Sequence, residues 1–381
     1  MAKSKYQLSQ SEIYRYSRHL TLPGFGIEAQ IKLLESSVLV IGAGGLGSPL
    51  LLYLAAAGVG RLGIVDYDNV DETNLQRQII HDVSWLNRPK VESAKNKLNQ
   101  INPNLTVEVF NLRIDSGNAL ELIKNFDIVC DGTDNFKSRY LINDACYLTS
   151  KPYIYGSILQ FEGQASVFNL TSNSPNYRDL VPSPPPPGLV PSCSEAGVIG
   201  VLPGIIGTIQ ATETIKILTG IGKTLDGRLL VYDALDMKFR ELLIKKDKEQ
   251  KPITKLIDYD DFCMITKDNP KSTDEITASE LNILINKDNR ILTLDVRTND
   301  ERSICKIDQS IHIPLDKLNE KANIKRLRDN IPGRKLIIYC KAGYRSKRAV
   351  DILAKHNINS ASLAGGIISW IKEVDRSLTL Y

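Results

Sequence analysis

Residues 38–58, VLVIGAGGLGSPLLLYLAAAG, have a spacing of glycines that could bind a phosphate. Gly42 permits a tight turn, Gly44 allows a phosphate to approach the backbone, and Gly47 allows the next helix to pack closely. The N-terminus of that helix offers N–H groups and a positive dipole end to an anion. Asp66 ends the next apolar run, LGIVD, where a carboxylate can accept ribose hydroxyls. On these residues alone, the pattern fits a nicotinamide cofactor and an NAD-dependent oxidoreductase.

Charged residues further along the chain favour a different ligand. Arg77 and Lys90 follow the second apolar run, and Asp134 and Asn135 follow the run DIVC. A dehydrogenase does not need two cations at the phosphate end together with a carboxylate. In nucleotidyl transfer, Arg77 and Lys90 would neutralise the β- and γ-phosphates and Asp134 would hold Mg²⁺. The alternative is that Arg77 and Lys90 are solvated surface charges.

Together these segments resemble the ThiF-type family of ubiquitin-activating-enzyme-like adenylyltransferases. The resemblance covers nearly all of residues 12–243, in RYSRH, GAGGLGSP, VDYDNVDETNLQRQ, RPKVESAK, DGTDNFKSRYLIND, GQASVF, CSEAGVIGVLPGIIGTIQATETIK and YDALDMKFREL. It implies ATP and Mg²⁺ as cofactors, catalytic roles for Arg77 and Lys90, and a homodimer in which Arg18 reaches the partner's site. The ATP-binding residues that it implies are Gly45, Asp66, Thr73, Asn74, Leu75, Gln76, Arg77, Lys90, Asp134 and Asn135.

The reaction implied by this resemblance joins AMP to the C-terminal Gly-Gly carboxylate of a small ubiquitin-like protein and releases pyrophosphate. A free carboxylate is a poor electrophile, and adenylation gives it a good leaving group. Negative charge develops on the pyrophosphate, where Arg77, Lys90 and Mg²⁺ would stabilise it.

Cys193 follows the proline-rich stretch 181–192, which predicts an extended loop because proline at this density disrupts helices and central strands. The family often has a cysteine here that receives an acyl group or resolves a disulfide. The resemblance therefore implies a catalytic role for Cys193. The alternative is a small structural thiol.

The sequence departs from the family at its structural zinc site, which usually consists of two Cys-x-x-Cys pairs. Asn176 and Asp179 occupy the positions of the first pair, and residues 247–256, where the second would fall, contain no cysteine. Because four thiolates form the strong zinc site, we expect no structural zinc.

A second reactive position is Cys340, in YCKAGYRSKRA (339–349), between the apolar strand LIIY and a helix. Backbone N–H groups of residues 341–346, the helix dipole and Arg345 would favour its thiolate. With ILTLDVRTNDE, IHIPL and LAGGIISW, the pattern resembles a rhodanese domain over about residues 275–375. The resemblance implies that Cys340 carries a sulfane sulfur as a persulfide. Cys305 and Lys306 stand where the family has Gly and His, a departure that we expect to alter a support loop.

The two resemblances together predict an adenylyltransferase fused to a sulfurtransferase. The Cys340 persulfide would attack the acyl-adenylate, and Cys193 would resolve the acyl-disulfide to release a carrier thiocarboxylate. The fusion resembles the molybdopterin-synthase adenylyltransferase and sulfurtransferase proteins. That resemblance implies the small subunit of molybdopterin synthase as the ubiquitin-like carrier, and an upstream sulfur donor such as a cysteine desulfurase. A tRNA-thiolation or thiamine-pathway carrier and a non-catalytic scaffold are the alternatives.

The elements that must position these residues alternate between strand and helix. This order predicts an α/β fold, with a Rossmann-like doubly wound sheet followed by a smaller α/β rhodanese domain. The predicted parts are an ATP-binding adenylyltransferase domain at 1–248, a linker at 249–274 and a rhodanese domain at 275–381. The elements predicted around the first site are strands Val38–Ile41, Leu62–Asp66, Leu105–Phe110, Asp127–Cys130 and Leu229–Asp233, and helices Ser48–Ala57, Lys90–Ile101 and Lys137–Thr149.

Composition argues against several partners. The net charge of +4 is mild and its charges are interspersed, so no nucleic-acid partner is expected. No apolar run reaches the length of a membrane helix, and residues 1–20 contain no signal-peptide core. The six cysteines form no Cys-x-x-Cys pair and are expected to be reduced thiols. On these grounds we expect a soluble protein of the cytoplasm or the plastid stroma, the plastid being included because richness in Ile, Lys and Asn is typical of AT-rich genomes.

Overall fold

The structure is a computed structural model that describes residues 6–185, 197–263, 274–287 and 290–381. Its described residues divide into two compact units, the first drawn from residues 6–263 and the second from residues 274–381. Both units are α/β, as the sequence predicts. Cys193 lies outside the described residues.

The first unit is built on an eight-stranded sheet with the strand order β3-β2-β1-β4-β5-β6-β7-β8. Its strands are β1 (Ser37–Ile41), β2 (Arg61–Val65), β3 (Thr106–Phe110), β4 (Ile128–Asp131), β5 (Tyr153–Leu159), β6 (Glu162–Phe168), β7 (Arg228–Asp233) and β8 (Lys238–Leu243). The first five strands in this order pair in parallel. From β5 onward the pairing is antiparallel, an extension that the alternation of strands and helices did not predict.

Helices cover this sheet. They are α1 (Gln10–Arg15), α2 (Ser17–Leu20), α3 (Gly26–Glu35), α4 (Gly47–Ala57), α5 (Lys90–Ile101), α6 (Ala119–Lys124), α7 (Phe136–Leu148), α8 (Tyr177–Leu180), α9 (Leu202–Thr219) and α10 (Tyr259–Phe262). Short 3-10 turns occupy Glu72–Asn74 and Val83–Trp85. Each predicted strand and helix around the first site is present, with bounds that differ by one residue or none.

The central strand β1 is buried on both faces. Val38 and Val40 point into one hydrophobic cluster, and Leu39 and Ile41 point into a second cluster on the opposite face. A strand covered on both sides needs apolar residues at successive positions, since alternate side chains point to opposite faces. Because both faces of β1 are covered, a ligand can reach this strand only at its ends, and in open parallel sheets ligands bind outside the carboxyl ends.

Part of the segment predicted as a linker packs into the first unit. Helix α10 lies within residues 249–274, and Tyr259 and Cys263 are buried in the same cluster as Leu39. The Tyr259 hydroxyl donates a 2.7 Å hydrogen bond to the carboxylate of Asp144. Tyr259 and Cys263 are therefore part of the core of the first unit, although the sequence predicts a linker here.

The second unit contains a five-stranded parallel sheet with the order β11-β10-β12-β13-β9. Its strands are β9 (Glu275–Ile276), β10 (Ile291–Asp295), β11 (Ile311–His312), β12 (Lys335–Tyr339) and β13 (Ser360–Leu363). Its helices are α11 (Ala278–Lys287), α12 (Asn299–Ile304), α13 (Lys321–Asn330), α14 (Tyr344–Ala354) and α15 (Gly366–Glu373), with a 3-10 turn at Leu315–Lys317. Strands β10 and β12 are neighbours in register, with Asp295 opposite Tyr339. Asp295 and Cys340 therefore lie at the same edge of this sheet.

Among the helices that the structure describes, none is long and apolar enough to cross a membrane.

Candidate functional sites

The glycine turn after β1 has the close backbone contacts that its sequence predicts. Gly42 has a φ of +98°, and a Cβ there would lie 2.8 Å from the carbonyl of Gly132, which follows β4. A Cβ on Gly47 would lie 2.0 Å from the Gly42 oxygen. Glycine is required at both positions, since the turn uses left-handed backbone and the first turn of α4 packs directly on it. The turn brings the N-terminus of α4 to the ends of β1 and β4.

Asp66 lies directly after β2 and orients this turn. Its carboxylate accepts hydrogen bonds from the N–H groups of Ala43 at 2.8 Å and Asp68 at 2.9 Å. Burial raises the pKa of Asp66, while the Lys90 charge and the two N–H donors oppose that shift. Asp66 lines the cleft beside the glycines, so its predicted contact with a ribose remains compatible with this geometry.

Lys90 points into the same cleft. Its side chain is only 6% exposed, and its ammonium lies 3.0 Å from the carboxylate of Asp68, which is half exposed. The Lys90 N–H also donates to the carbonyl of Asp68 at 2.9 Å, which fixes the start of α5. A solvated surface lysine would not be buried in this way, so that alternative is wrong for Lys90.

The cleft brings together six of the residues predicted to bind ATP. These are Gly45, Asp66, Arg77, Lys90, Asp134 and Asn135. Arg77 is half-buried, and its guanidinium donates to the Thr73 carbonyl at 3.2 Å. The other four predicted residues, at positions 73–76, are not among the described residues that line the cleft. They lie on the 3-10 turn Glu72–Asn74 and directly after it. The backbone carbonyls of Thr73 and Asn74 accept hydrogen bonds from Arg77, and contact of all four residues with ATP remains a prediction.

Arg139 is a cleft residue that the sequence analysis did not identify. It is 6% exposed and lies on α7, and its Nη2 donates to the Thr133 carbonyl at 3.4 Å. Its Nε has no hydrogen-bond partner among the described residues, and neither does Gln78 Oε1, which also lines the cleft. Buried polar atoms without partners are rare in folded proteins, so these two atoms mark places where a bound molecule can complete the bonding. Asn135 caps the start of α7 by accepting from the Ser138 N–H, but this local signal does not indicate the direction of the Arg139 side chain.

Asp131 lies beneath the cleft at the end of β4 and is fully buried. Its carboxylate accepts hydrogen bonds from the Tyr153 hydroxyl at 2.6 Å and from the Thr133 N–H at 2.8 Å. Burial raises its pKa, and the nearby Arg139 charge opposes that shift. This arrangement holds the loop that carries Asp134, which is itself exposed at the mouth of the cleft.

His81 supports the glycine turn from behind. One ring nitrogen lies 2.9 Å from the Ala43 carbonyl and the other lies 2.9 Å from the Ser93 hydroxyl. Burial is the main cause that lowers the pKa of His81 to about 4. At neutral pH the ring is therefore uncharged, donating to Ala43 and accepting from Ser93. The sequence analysis gave no site role to any of the four histidines, and the structure shows that His81 connects the glycine turn to α5.

Hydrogen bonds join the two segments in which the family's zinc-binding cysteines would fall, namely residues 176–179 and residues 247–256. The Asp179 carboxylate accepts from the N–H groups of Asn176 at 2.7 Å and Asp247 at 2.8 Å. The Asn176 side-chain amide donates to Gln250 at 3.0 Å. Asn176 and Asp179 have the three-residue offset of one Cys-x-x-Cys pair, and Asp247 and Gln250 have the same offset. We name these four residues the polar clasp, since they connect the same two segments without thiolates.

Cys340 lies directly after β12 and is 1% exposed. The Gly343 N–H, one of the predicted backbone donors, donates to its sulfur at 3.1 Å, and the Ser346 hydroxyl lies 3.6 Å away. A Cβ on Gly366 would lie 2.4 Å from the Cys340 carbonyl oxygen, so this loop also depends on close backbone packing. The Ser346 hydroxyl donates to the Gly343 carbonyl at 2.9 Å, so the donor to the sulfur that the structure defines is the Gly343 N–H.

Arg345 departs from the simple expectation of a positive charge beside the thiol. Its guanidinium forms a bidentate pair with Glu301, with both N–O distances 2.6 Å. Burial disfavours ionisation of Glu301, but the hydrogen bonds and charge of Arg345 hold the pKa of this carboxyl below its usual range. Glu301 therefore balances much of the positive potential that Arg345 would supply.

Cys305 contacts the residues at the end of β10, while the expected alteration of a support loop at Cys305 and Lys306 remains a prediction. Cys305 packs in the core of the second unit, and its carbonyl accepts a 2.7 Å hydrogen bond from Arg297. Arg297 is fully buried and forms a bidentate pair with Asp295, at 2.9 and 2.7 Å. This ion pair is fixed on the end of β10, next to the strand that leads to Cys340.

Arg18 lies on α2, exposed and away from the cleft lining described above. Its predicted entry into a partner's site and the predicted role of Cys193 remain predictions.

Comparison with known families gives two matches. The ThiF family model matches residues 16–253, and the rhodanese-like domain model matches residues 277–373. Together the two models span both described units.

Curated relatives match along the whole chain. The probable adenylyltransferase/sulfurtransferase MoeZ of Mycobacterium tuberculosis is 46% identical over 98% of this chain and 96% of its own length. The adenylyltransferase and sulfurtransferase MOCS3-1 of Zea mays is 42% identical over 97% of this chain and 83% of its own. The corresponding MOCS3 protein of Aedes aegypti is 38% identical over 98% and 90%.

Solved structures share the fold of the first unit. The structure of PaaA aligns with a TM-score of 0.55 at 22% identity, over 65% of this chain and 78% of that one. Escherichia coli MccB with ATP aligns with a TM-score of 0.54 at 19% identity, over 65% and 74%. At these identities the likeness concerns the fold alone.

Proposed function

Because the chain belongs to the ThiF family and carries a rhodanese-like domain, we propose that it converts the C-terminal carboxylate of a ubiquitin-like sulfur carrier into a thiocarboxylate. The chain is an adenylyltransferase and sulfurtransferase, like the full-length relatives that it matches. Use of ATP follows from the ThiF family. The identity of the carrier and the order of the steps are our proposal.

The first step that we propose is adenylation in the cleft of the first unit. A carboxylate oxygen of the carrier attacks the α-phosphorus of ATP, the bond to the β-phosphate oxygen breaks, and pyrophosphate leaves with that electron pair. Lys90 and Arg77 stabilise the charge that develops on the pyrophosphate. Gly44 and Gly45 leave room for a Gly-Gly tail to approach the α-phosphate.

Magnesium fits this cleft as the companion of ATP. The exposed carboxylate of Asp134 supplies an oxygen ligand, and Mg²⁺ usually needs one or two carboxylates together with substrate phosphates and waters. When bound, Mg²⁺ neutralises phosphate charge. Asp134 would hold it, and the Asp131 network would keep the Asp134 loop in place.

The second step is sulfur transfer from Cys340. The terminal sulfur of a Cys340 persulfide attacks the acyl carbon of the adenylate, AMP leaves, and an acyl-disulfide forms. The Cys193 thiolate then attacks the Cys340 sulfur, which releases the carrier thiocarboxylate and leaves a Cys193–Cys340 disulfide. A thiol reductant supplies the two electrons that restore both cysteines.

The partners that we propose follow from this chemistry. The carrier is the small subunit of molybdopterin synthase, with tRNA-thiolation and thiamine-pathway carriers as alternatives. A cysteine desulfurase or another persulfide donor loads Cys340. The enzyme acts as a homodimer in which Arg18 completes the partner's ATP site, in the cytoplasm or the plastid stroma.

The observation that supports the proposal most directly is the burial of the Lys90 ammonium in a cleft that also contains Asp66, Arg77 and Asp134. The test is pyrophosphate exchange into ATP with each Gly-Gly-ended carrier, followed by mass spectrometry of the carrier after addition of a persulfide donor. We expect exchange with one carrier, and a thiocarboxylate that is lost in Cys340→Ser. Absence of carrier-dependent exchange would contradict adenylation, and a thiocarboxylate formed at the normal rate by Cys340→Ser would contradict the sulfur step.

Two other functions are less consistent with the site. An NAD-dependent oxidoreductase does not account for Arg77 and Lys90 at the phosphate end, and calorimetric titration with NAD tests it directly. A non-catalytic scaffold does not account for Cys340 with a backbone donor on its sulfur. The same exchange and thiocarboxylate assays distinguish a scaffold from an enzyme.

A further inference from the structure

We propose that Tyr381 is a positioning residue for the sulfur-carrying loop, defined as residues 340–346. This inference rests on the proposed sulfur transfer by Cys340, and it adds a residue to which no role has been assigned. Tyr381 is distant from this loop in the sequence. Its ring contacts Lys341 near the start of the loop, and its hydroxyl contacts Glu301, which pairs with Arg345 near the end of the loop.

The Tyr381 hydroxyl is fixed to the core of the second unit. Arg297 Nη1 donates to it at 2.7 Å, and Arg297 is held by the fully buried pair with Asp295. The Nη2 of the same guanidinium also donates a hydrogen bond to the Cys305 carbonyl. The position of Tyr381 is therefore set by a buried guanidinium, which has little freedom to move.

The ring of Tyr381 holds the first residue after the reactive cysteine. The Lys341 ammonium lies 4.6 Å from the ring centroid, within the range of a cation–π contact. Lys341 follows Cys340 directly in the chain. The ring thus restrains the cation of the residue that follows the reactive cysteine, at the start of the loop that an anionic sulfur donor must reach.

The hydroxyl also reaches the residue that pairs with the far end of the loop. It lies 3.3 Å from Glu301 Oε1, the carboxylate that forms the bidentate pair with Arg345. Arg297 Nη1 donates to the Glu301 carbonyl at 3.2 Å as well. Tyr381 therefore connects the fixed Arg297 to Lys341 at one end of the loop and to the Glu301–Arg345 pair at the other.

The consequence is a defined charge distribution around Cys340. With Tyr381 present, the Lys341 cation is restrained at the loop and Arg345 remains paired. Without the ring, Lys341 is less restrained, and the loop attracts a doubly charged donor less strongly. We expect the main effect on binding of an anionic sulfur donor, with a smaller effect on the chemistry at the sulfur.

The test uses the full chain with thiosulfate as donor and cyanide as acceptor. The Cys340 thiolate takes the outer sulfur of thiosulfate, and sulfite leaves with the electron pair of the broken S–S bond. Cyanide then removes that sulfur as thiocyanate and regenerates the thiolate. The variants are Tyr381→Ala and Tyr381→Phe, with Leu380→Ala as the matched control because Leu380 is 54% exposed.

We expect Tyr381→Ala to raise the KM for thiosulfate by about three- to tenfold, as the loss of one cation–π contact implies, with kcat changed less than about twofold. Tyr381→Phe keeps the ring and should fall between wild type and Tyr381→Ala. Leu380→Ala should resemble wild type. An unchanged KM in Tyr381→Ala would overturn the inference. A fall in kcat that is fully explained by a smaller fraction of folded protein, as measured by circular dichroism, would also overturn it.

A second measurement separates this inference from the proposed function. If the wild-type protein does not transfer sulfur from thiosulfate to cyanide, sulfur transfer by Cys340 is contradicted. The positioning role of Tyr381 can still be tested by the rate at which Cys340 is alkylated. The ratio of the rates with anionic iodoacetate and neutral iodoacetamide reports the potential at the loop. We expect Tyr381→Ala to lower that ratio relative to wild type and Leu380→Ala, and an equal ratio in all three proteins would overturn the inference.

Discussion

The Lys90 ammonium lies 3.0 Å from the Asp68 carboxylate inside the glycine-lined cleft. Lys90 is buried and Asp68 is half exposed, so the Asp68 side chain has more room to move than the Lys90 side chain. A buried ammonium needs a counter-charge, and Asp68 supplies one that can move toward solvent. The pair fixes the position of the Lys90 ammonium in the cleft.

Substitutions of Lys90 and of Asp68 are expected to have different effects on the rate of pyrophosphate exchange. Lys90→Gln should lower carrier-dependent pyrophosphate exchange by about 100- to 1,000-fold, the usual effect of removing one donor to developing charge. Asp68→Asn keeps the cation and should lower exchange by less than about tenfold. The rates should be measured at saturating carrier and ATP. Equal losses in the two variants would contradict the assignment of Lys90 to the pyrophosphate.

The polar clasp predicts a fold that does not depend on zinc. Asp179→Ala removes the acceptor of the Asn176 and Asp247 N–H groups, so we expect a loss of about 2–3 kcal/mol in the free energy of unfolding. Lys248→Ala, an exposed position in the same segment, should change it by less than about 0.5 kcal/mol. Urea denaturation measures both.

Chelation supplies the second arm of this prediction. Incubation with a strong zinc chelator should leave the melting temperature of the wild-type protein unchanged. Stoichiometric zinc found by elemental analysis of the purified protein would show that the clasp does not replace the metal.

The limits of the sequence-based prediction can be seen in particular residues. The glycine turn and the start of α5 at Lys90 were predictable, because glycine spacing, apolar runs and helix starts are local signals. The Tyr381 contact with Arg297 joins residues 84 positions apart, and no local pattern indicates it. The Glu301–Arg345 pair was missed for the same reason. Arg139 is intermediate, since its helix was predicted but the direction of its side chain depends on tertiary packing.

The buried His81 predicts a pH dependence of stability. Its pKa is about 4 in the folded protein, mainly because of burial, against 6.5 in the unfolded chain. Between these values the unfolded state binds more protons, so stability is present at neutral pH and is lost as pH falls from 6.5 toward 4. The slope from this one group is at most about 1.4 kcal/mol per pH unit.

Urea denaturation of wild type and His81→Gln at about pH 7 and about pH 5 isolates this contribution, because the other groups titrate in both proteins. We expect wild type to lose more stability than the variant between the two conditions. Parallel losses would show that His81 is protonated in the folded state.

The Glu301–Arg345 pair makes the last prediction, on the charge at the sulfur site. Glu301→Gln removes the carboxylate that balances the guanidinium, so the potential around Cys340 should become more positive. The ratio of alkylation rates with iodoacetate and iodoacetamide should rise by about two- to fivefold, as expected for one unit charge in a partly solvated site. Asp316→Asn removes the same charge from an exposed position of the second unit and should leave the ratio near that of wild type. A ratio that falls or stays constant in Glu301→Gln would mean that Arg345 moves away from Cys340 once its partner is lost, and that Glu301 holds the arginine at the loop.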